Sequence, residues 1–136
     1  MKVLHIDHIG IAVKDLAATK KFYTEMLGVA PTQDDEVVEE QKVKVSFFKM
    51  GDAELEFLES TAPDGPIAKF IDKNGEGIQH IALAVDDIRD SLEHLKAKGV
   101  RLIDEQPRYG AGGKEIAFLH PKATGGVLLE LCAPRK

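Results

Sequence analysis

The chain has 136 residues, an apolar fraction of 43% and a net charge of −5, which predicts a single compact domain, residues 1–136, of a soluble protein. No apolar stretch is long enough to span a bilayer and no basic stripe carries interleaved aromatic residues, so we expect neither a membrane nor a nucleic acid as partner. The lone Cys132 has no partner for an internal disulfide, which favours a reducing, cytoplasmic location.

The first predicted element is a strand over residues 3–13, rich in β-branched residues. Strand alternation places the large apolar side chains of Ile9, Ile11 and Val13 on one face. The opposite face carries His8 beside the small residues Gly10 and Ala12. This strand therefore leaves space around a histidine.

A helix follows, with Asp15 as its N-cap and Gly28 as its end. Its apolar stripe is predicted to consist of Leu16, Tyr23 and Leu27. Two further strands, 43–50 and 53–59, meet at a Gly51-Asp52 turn. With a short strand after the helix, residues 1–60 read as a first βαβββ module.

Residues 61–78 are predicted to be a linker that contains a short helix. The helix begins at Asp64-Gly65-Pro66, since proline is favoured in a first helical turn, and it ends at Gly75. Ile67, Phe70 and Ile71 would form its apolar face.

Residues 79–136 repeat the pattern of the first module. Gln79–Ile88 repeats Asp7–Leu16 at a distance of 72 positions, so that His80 corresponds to His8. A helix capped by Asp87 and ended by Gly99 follows, and then strands over 115–120 and 127–133. The chain is therefore predicted to be an α+β protein of two tandem βαβββ modules.

Each module also has a carboxylate among apolar strand residues, Glu56 in the first and Glu130 in the second. A buried carboxylate is costly unless it is paired or bound to a metal. Glu54 competes with Glu56 because it shares its face, whereas Glu59 has the opposite parity. We therefore predict one divalent metal bound by His8, Glu56, His80 and Glu130. The nitrogen and oxygen set suits Co²⁺, Mn²⁺, Ni²⁺, Fe²⁺ or Zn²⁺ and does not choose between them.

The duplicated strand-His, capped helix and strand-Glu pattern resembles the vicinal oxygen chelate (glyoxalase/bleomycin resistance) superfamily. Within it, the chain most resembles the methylmalonyl-CoA epimerase family. The motifs that carry this resemblance are Asp7–Ala12, Gly65–Phe70, Gly75–Ala82, Gly110–Lys122 and Gly125–Leu131. The resemblance implies that the two modules form a curved mixed sheet around a metal cleft.

The resemblance also implies an activity, the inversion of carbon 2 of methylmalonyl-CoA through an enolate that the metal stabilises, with an acyl-CoA as the small-molecule substrate. Glu130 would be one catalytic base. Some members place the second base where this chain has Val45, so we expect Glu56 to serve as both ligand and second catalytic base. Lys114, Lys122, His120 and Gly112 are candidates for substrate binding.

Two alternatives have different sequence requirements. A glyoxalase I-type lactoylglutathione lyase needs cationic partners for glutathione carboxylates, and the arginines of this chain are scattered. A non-catalytic binding protein of the same fold would have no reason to retain four matched ligands. We expect a homodimer, because strand edges of duplicated sheets often pair between copies.

Overall fold

The computed structural model describes residues 1–135, and within them the chain forms eight strands and three α-helices. The predicted α+β fold of two βαβββ modules is confirmed, and a short helix lies between the two modules in the chain. The elements in chain order are β1 (Val3–Ala12), α1 (Leu16–Lys21), β2 (Glu36–Val38), β3 (Val43–Met50), β4 (Ala53–Ser60), α2 (Pro66–Asn74), β5 (Gly77–Val85), α3 (Ile88–Ala97), β6 (Arg108–Tyr109), β7 (Lys114–Leu119) and β8 (Leu129–Pro134).

Of the described residues, the first compact unit contains 1–8 and 80–135. Its strands follow the order β5-β8-β7-β6, in which β5 and β8 are parallel and the other pairs are antiparallel. Residues 3–8 of β1 also belong to this unit, although the sequence assigns them to the first module. The division of the chain at residues 60 and 78 stays a prediction.

One face of this unit's sheet is covered by α3. Ile88 and Leu92 are one helical turn apart, and both are buried against Leu119, Leu131 and other apolar side chains of the strands. Because strand side chains alternate, the residues between these core positions face the opposite side of the sheet.

The N-terminus of α3 gives a first test of the fold. The Asp87 side chain accepts a hydrogen bond from the Asp90 amide at 3.0 Å, which satisfies one of the free amides of the first turn. We expect Asp87→Ala to lower the free energy of unfolding by about 1 kcal/mol. Asp87→Asn keeps an acceptor and should change it by much less. Urea unfolding of the three proteins measures this, and equal losses in both variants would contradict the capping role.

The second compact unit contains residues 9–79. Strands β2, β3 and β4 are antiparallel, and β1 follows β4 in the strand order. The core of this unit consists of Phe48, Phe57, Val13 and Leu16, with Tyr23 packed against it. Helix α2 begins after Gly65 with Pro66 in its first turn, as the sequence predicted, and Ile67 is its buried residue.

The predicted helix of the first module is wrong in its second half. Helix α1 continues into a π-helical turn over Phe22–Met26, which inserts an extra residue per turn and rotates the following side chains around the axis. Tyr23 stays on the core, with its ring centroid 4.7 Å from that of Phe57. Leu27, predicted in the apolar stripe, is 56% exposed.

Across residues 1–135, no helix combines the length and the apolar composition needed to cross a bilayer.

Candidate metal centre

Three predicted ligand side chains meet in the first compact unit. The Nε2 atoms of His8 and His80 lie 3.1 Å apart, and the Glu130 carboxylate lies 3.3 Å from the first and 3.4 Å from the second. All three side chains are buried, with exposed fractions between 3% and 6%. One donor atom from each residue lies within 4.8 Å of the other two.

This donor set fits a divalent metal ion. Two nitrogens bound to one ion at about 2.1 Å and at a right angle would be about 3.0 Å apart, close to the 3.1 Å between the two Nε2 atoms. Two imidazoles and one carboxylate, without sulfur, suit Co²⁺, Mn²⁺, Ni²⁺, Fe²⁺ or Zn²⁺. The carboxylate supplies the negative charge that the imidazoles lack.

The register of β5 and β8 explains why these side chains converge. Glu130 lies opposite Ala82 on β5, and Ala82 follows His80 by two residues, so all three face the same side of the sheet. Ala82 is fully buried, and its small side chain leaves room for the carboxylate and the imidazole. Phe118, the partner of Glu130 on β7, places its ring edge-on to His80 with centroids 5.6 Å apart. The Phe118 ring of β7 therefore packs against the His80 imidazole.

His80 is suited to metal binding by its protonation state. Burial, with a smaller contribution from the charge of His8, lowers the pKa of His80 to about 3. A neutral imidazole is therefore its stable form at pH 7, and this form has the lone pair that a metal requires.

Asp7 contacts the same centre, and the sequence analysis did not identify it. Its Oδ2 atom accepts a hydrogen bond from His8 Nδ1 at 2.7 Å and pairs with Lys114 Nζ. Burial alone would raise the pKa of Asp7, but hydrogen bonds from His8 and Lys114 outweigh it and hold this pKa below its usual range. Strict alternation puts neighbouring side chains on opposite faces of a strand, which is why the pattern gave no signal for Asp7.

Cys132 lies beside Asp7 and His8, with its sulfur within 4.8 Å of one polar atom of each. Burial, together with the negative charges of Asp7 and Glu130, raises the pKa of its thiol. Because the thiolate is the form that binds metals, this protonated and buried thiol is a poor ligand.

The fourth predicted ligand, Glu56, belongs to the second compact unit. It is 4% exposed on β4, opposite Phe47 of β3. The same pairing recurs between Glu130 and Phe118, so each module pairs its buried glutamate with a phenylalanine of the preceding strand. Glu54 is only half-buried, and Glu59 accepts a hydrogen bond from the Leu16 amide at 2.8 Å. Glu56 thus stays the better candidate.

The candidate substrate residues occupy both ends of β7. Lys114 begins the strand and pairs with Asp7, after a 3₁₀ turn in which Gly112 has a φ of 73°. His120 follows the strand, and its Nδ1 accepts a hydrogen bond from the Lys122 amide at 3.1 Å. Partial burial, then the charges of Arg101 and Lys122, lower the pKa of His120. The remaining histidines, His5 and His94, are exposed.

The family model for the Glyoxalase/Bleomycin resistance protein/Dioxygenase superfamily matches residues 7–118, most of the chain. The chain belongs to this superfamily. The match includes His8, Glu56 and His80, and it ends before Glu130.

Within this superfamily, the chain is similar to several epimerases. It is 40% identical to the human mitochondrial methylmalonyl-CoA epimerase over 127 residues, which cover 93% of this chain and 72% of that protein. It is 38% identical to the ethylmalonyl-CoA/methylmalonyl-CoA epimerase of Cereibacter sphaeroides, covering 93% and 95% of the two chains. A Streptomyces coelicolor methylmalonyl-CoA epimerase variant in complex with 2-nitronate-propionyl-CoA superposes with a TM-score of 0.92 at 40% identity, covering 98% and 96%.

Proposed function

We propose that this protein is an isomerase that inverts carbon 2 of methylmalonyl-CoA. The observation that carries the proposal is the convergence of His8, His80 and Glu130 in a chain that is 38–40% identical to methylmalonyl-CoA epimerases over 93% of its length. The hydrogen at carbon 2 lies between a thioester and a carboxylate, so its removal leaves an enolate, and return of a proton on the other side gives the opposite configuration.

His8, His80 and Glu130 would hold a divalent metal, which we propose to be Co²⁺. When bound, such a metal acts as a Lewis acid that stabilises negative charge on substrate oxygens. The neutral imidazole of His80 contributes a lone pair, and Glu130 contributes charge. Because these side chains are almost fully buried, water has little access to the site, which strengthens electrostatic interactions there.

We assign proton transfer to two glutamates. The Glu130 carboxylate would take the proton from one side of carbon 2, and Glu56 would serve as fourth ligand and as the acid that returns a proton on the other side. The support for Glu56 is its burial and its pairing with Phe47, which repeats the pairing of Glu130 with Phe118. At the apparent second-base position of some relatives, Val45 has a buried apolar side chain that cannot transfer protons.

The coenzyme A portion of the substrate carries several phosphate charges and needs cationic partners. The positive charges of Arg101 and Lys122 both lower the pKa of His120. The His120 amide donates a hydrogen bond to the Arg101 carbonyl at 3.1 Å. Arg101 and Lys122 make the end of β7 locally positive, and we assign phosphate binding to these two residues together with His120. Gly112 and Lys114 at the other end of β7 are proposed to contact the thioester portion.

We also propose a cytoplasmic homodimer. Its support is the exposure of Val3, Leu4 and Ile6, which are 47–51% accessible on the N-terminal half of β1, since neighbouring exposed apolar residues often mark subunit contacts. The lone buried Cys132 fits a reducing compartment. Light scattering of the purified protein gives the oligomeric state.

The activity is tested by hydrogen exchange. We expect the protein to exchange the carbon 2 hydrogen of methylmalonyl-CoA for deuterium in deuterated water, and to lose this activity after treatment with a chelator. Addition of Co²⁺ should restore it. Mass spectrometry of the substrate measures the exchange. A lactoylglutathione lyase would instead convert the glutathione hemithioacetal, and a binding protein would do neither. Either result would contradict the proposal.

A further inference from the structure

The Asp7 carboxylate receives two strong donors at the edge of the candidate metal centre. His8 Nδ1 donates to its Oδ2 atom at 2.7 Å, and Lys114 Nζ pairs with the same oxygen. The Asp7 side chain is 16% exposed and that of Lys114 is 23% exposed, so both lie mostly out of water. A charge-assisted contact in such surroundings is stronger than the same contact on an open surface.

The contact between Asp7 and His8 determines which nitrogen of His8 offers a lone pair to a metal. A neutral imidazole has one N–H and one lone pair, so a proton held on Nδ1 by Asp7 leaves the lone pair on Nε2. The Nε2 atom is the one that faces His80 Nε2 at 3.1 Å and Glu130 at 3.3 Å. Asp7 thus selects the tautomer and the ring orientation that the candidate metal centre needs.

The two modules differ at this position. The residue before His8 is Asp7, whereas the residue before His80 is the neutral Gln79. His80 is 6% exposed, and the Phe118 ring packs edge-on against its imidazole. A carboxylate that supports a metal-bound histidine is a recurring arrangement in metalloproteins, and Asp7 gives His8 this arrangement.

We propose that Asp7 is a positioning residue that directs His8 Nε2 toward the metal, and that Lys114 holds Asp7 in place for this purpose. The inference rests on the metal-binding role of His8 proposed above. It gives Lys114 a second role beside its proposed contact with the thioester portion of the substrate. Loss of the positioning role would weaken metal binding, whereas loss of the substrate contact would raise KM.

The test uses the full-length protein with Asp7→Asn, Lys114→Met and the double variant. The metal dissociation constant is measured by calorimetry with Co²⁺ as the probe. Asp7→Asn should weaken binding by about 10- to 100-fold, and Lys114→Met by about three- to tenfold, because it acts through Asp7. The double variant should be no weaker than Asp7→Asn, since both changes break one chain of contacts.

Two controls match the substituted residues. Lys96→Met removes a lysine of similar exposure, 27%, whose ion pair with Glu93 lies on α3. Asp90→Asn removes an exposed carboxylate from the same helix. Both should bind Co²⁺ as the unsubstituted protein does. Unfolding of the metal-free proteins in urea then separates a loss of metal affinity from a loss of stability.

Nitrogen NMR measures the tautomer of His8 directly. Two-bond ¹H–¹⁵N correlation spectra of the metal-free protein should show His8 protonated on Nδ1, and Asp7→Asn should produce a mixture of tautomers.

Unchanged Co²⁺ affinity and an unchanged His8 tautomer in Asp7→Asn would overturn the proposal. If Lys114→Met raises KM for methylmalonyl-CoA but leaves Co²⁺ affinity unchanged, Lys114 contacts substrate instead and its positioning role is wrong. If the unsubstituted protein binds no Co²⁺, the metal centre itself is wrong.

Discussion

Glu130→Gln is expected to slow deuterium exchange at carbon 2 of methylmalonyl-CoA by about a thousandfold. The substitution keeps the size of the side chain, but it removes both the negative charge and the ability to accept a proton. Since His8 and His80 are the other two donors of the cluster, the variant leaves this cluster with two neutral imidazoles and no carboxylate of its own. We therefore expect weaker Co²⁺ binding as well, and a rate that excess Co²⁺ does not restore.

Glu115→Gln is the matched control for this prediction. Glu115 is also a buried glutamate of the same unit, 7% exposed, and lies on the strand next to β8. Its side chain faces the other side of the sheet and forms two hydrogen bonds with Arg89 of α3, at 2.7 and 3.0 Å. The control should lose some stability but keep its exchange rate and Co²⁺ affinity. A Glu130→Gln variant that is as active as the control would contradict the assigned role of Glu130.

Phe48→Ala is expected to give the largest loss of stability, about 3–5 kcal/mol. Phe48 is fully buried, and its ring centroid lies 5.6 Å from that of Phe57 and 5.9 Å from that of Tyr23. Truncation removes this contact area and leaves a cavity that the surrounding strands cannot fill. Since domains are stable by only about 5–15 kcal/mol, the variant should unfold at a much lower urea concentration.

Phe22→Ala provides the comparison, because Phe22 is 52% exposed and also contacts Tyr23, at 5.6 Å between ring centroids. We expect it to cost about 1 kcal/mol or less. Equilibrium unfolding of the metal-free proteins, followed by circular dichroism, measures both variants. Equal losses would show that Phe48 is not a core residue of this unit.

The sequence predicted the elements of the fold well wherever the signal was local. Asp87 caps α3, Pro66 begins α2, and the strand boundaries around Gly51-Asp52 agree to within one residue. These features depend on a few neighbouring residues, whose backbone preferences are strong. The internal repeat predicted more than local structure, because it related two histidines and two glutamates that lie far apart in the chain.

Local signals failed where packing decided the outcome. Nothing in the sequence of Phe22–Met26 predicts a π-helical turn, and within this turn Tyr23 packs on Phe57. Strand alternation argues against Glu59 as a metal ligand, but nothing in the sequence predicts that its side chain accepts a hydrogen bond from the Leu16 amide. Both contacts join residues more than 30 positions apart.

The sequence by itself determined which histidines and glutamates are candidate ligands, because the repeat, the alternation in each strand and the small residues beside each histidine are all patterns in the sequence. Only the tertiary structure decided which atoms meet. His8 and His80 are 72 positions apart, and Lys114 reaches Asp7 across 107 positions. The physical reason is that periodicity specifies the face of a strand, whereas the distance between side chains on different strands depends on strand order and register, which form only when the sheet assembles.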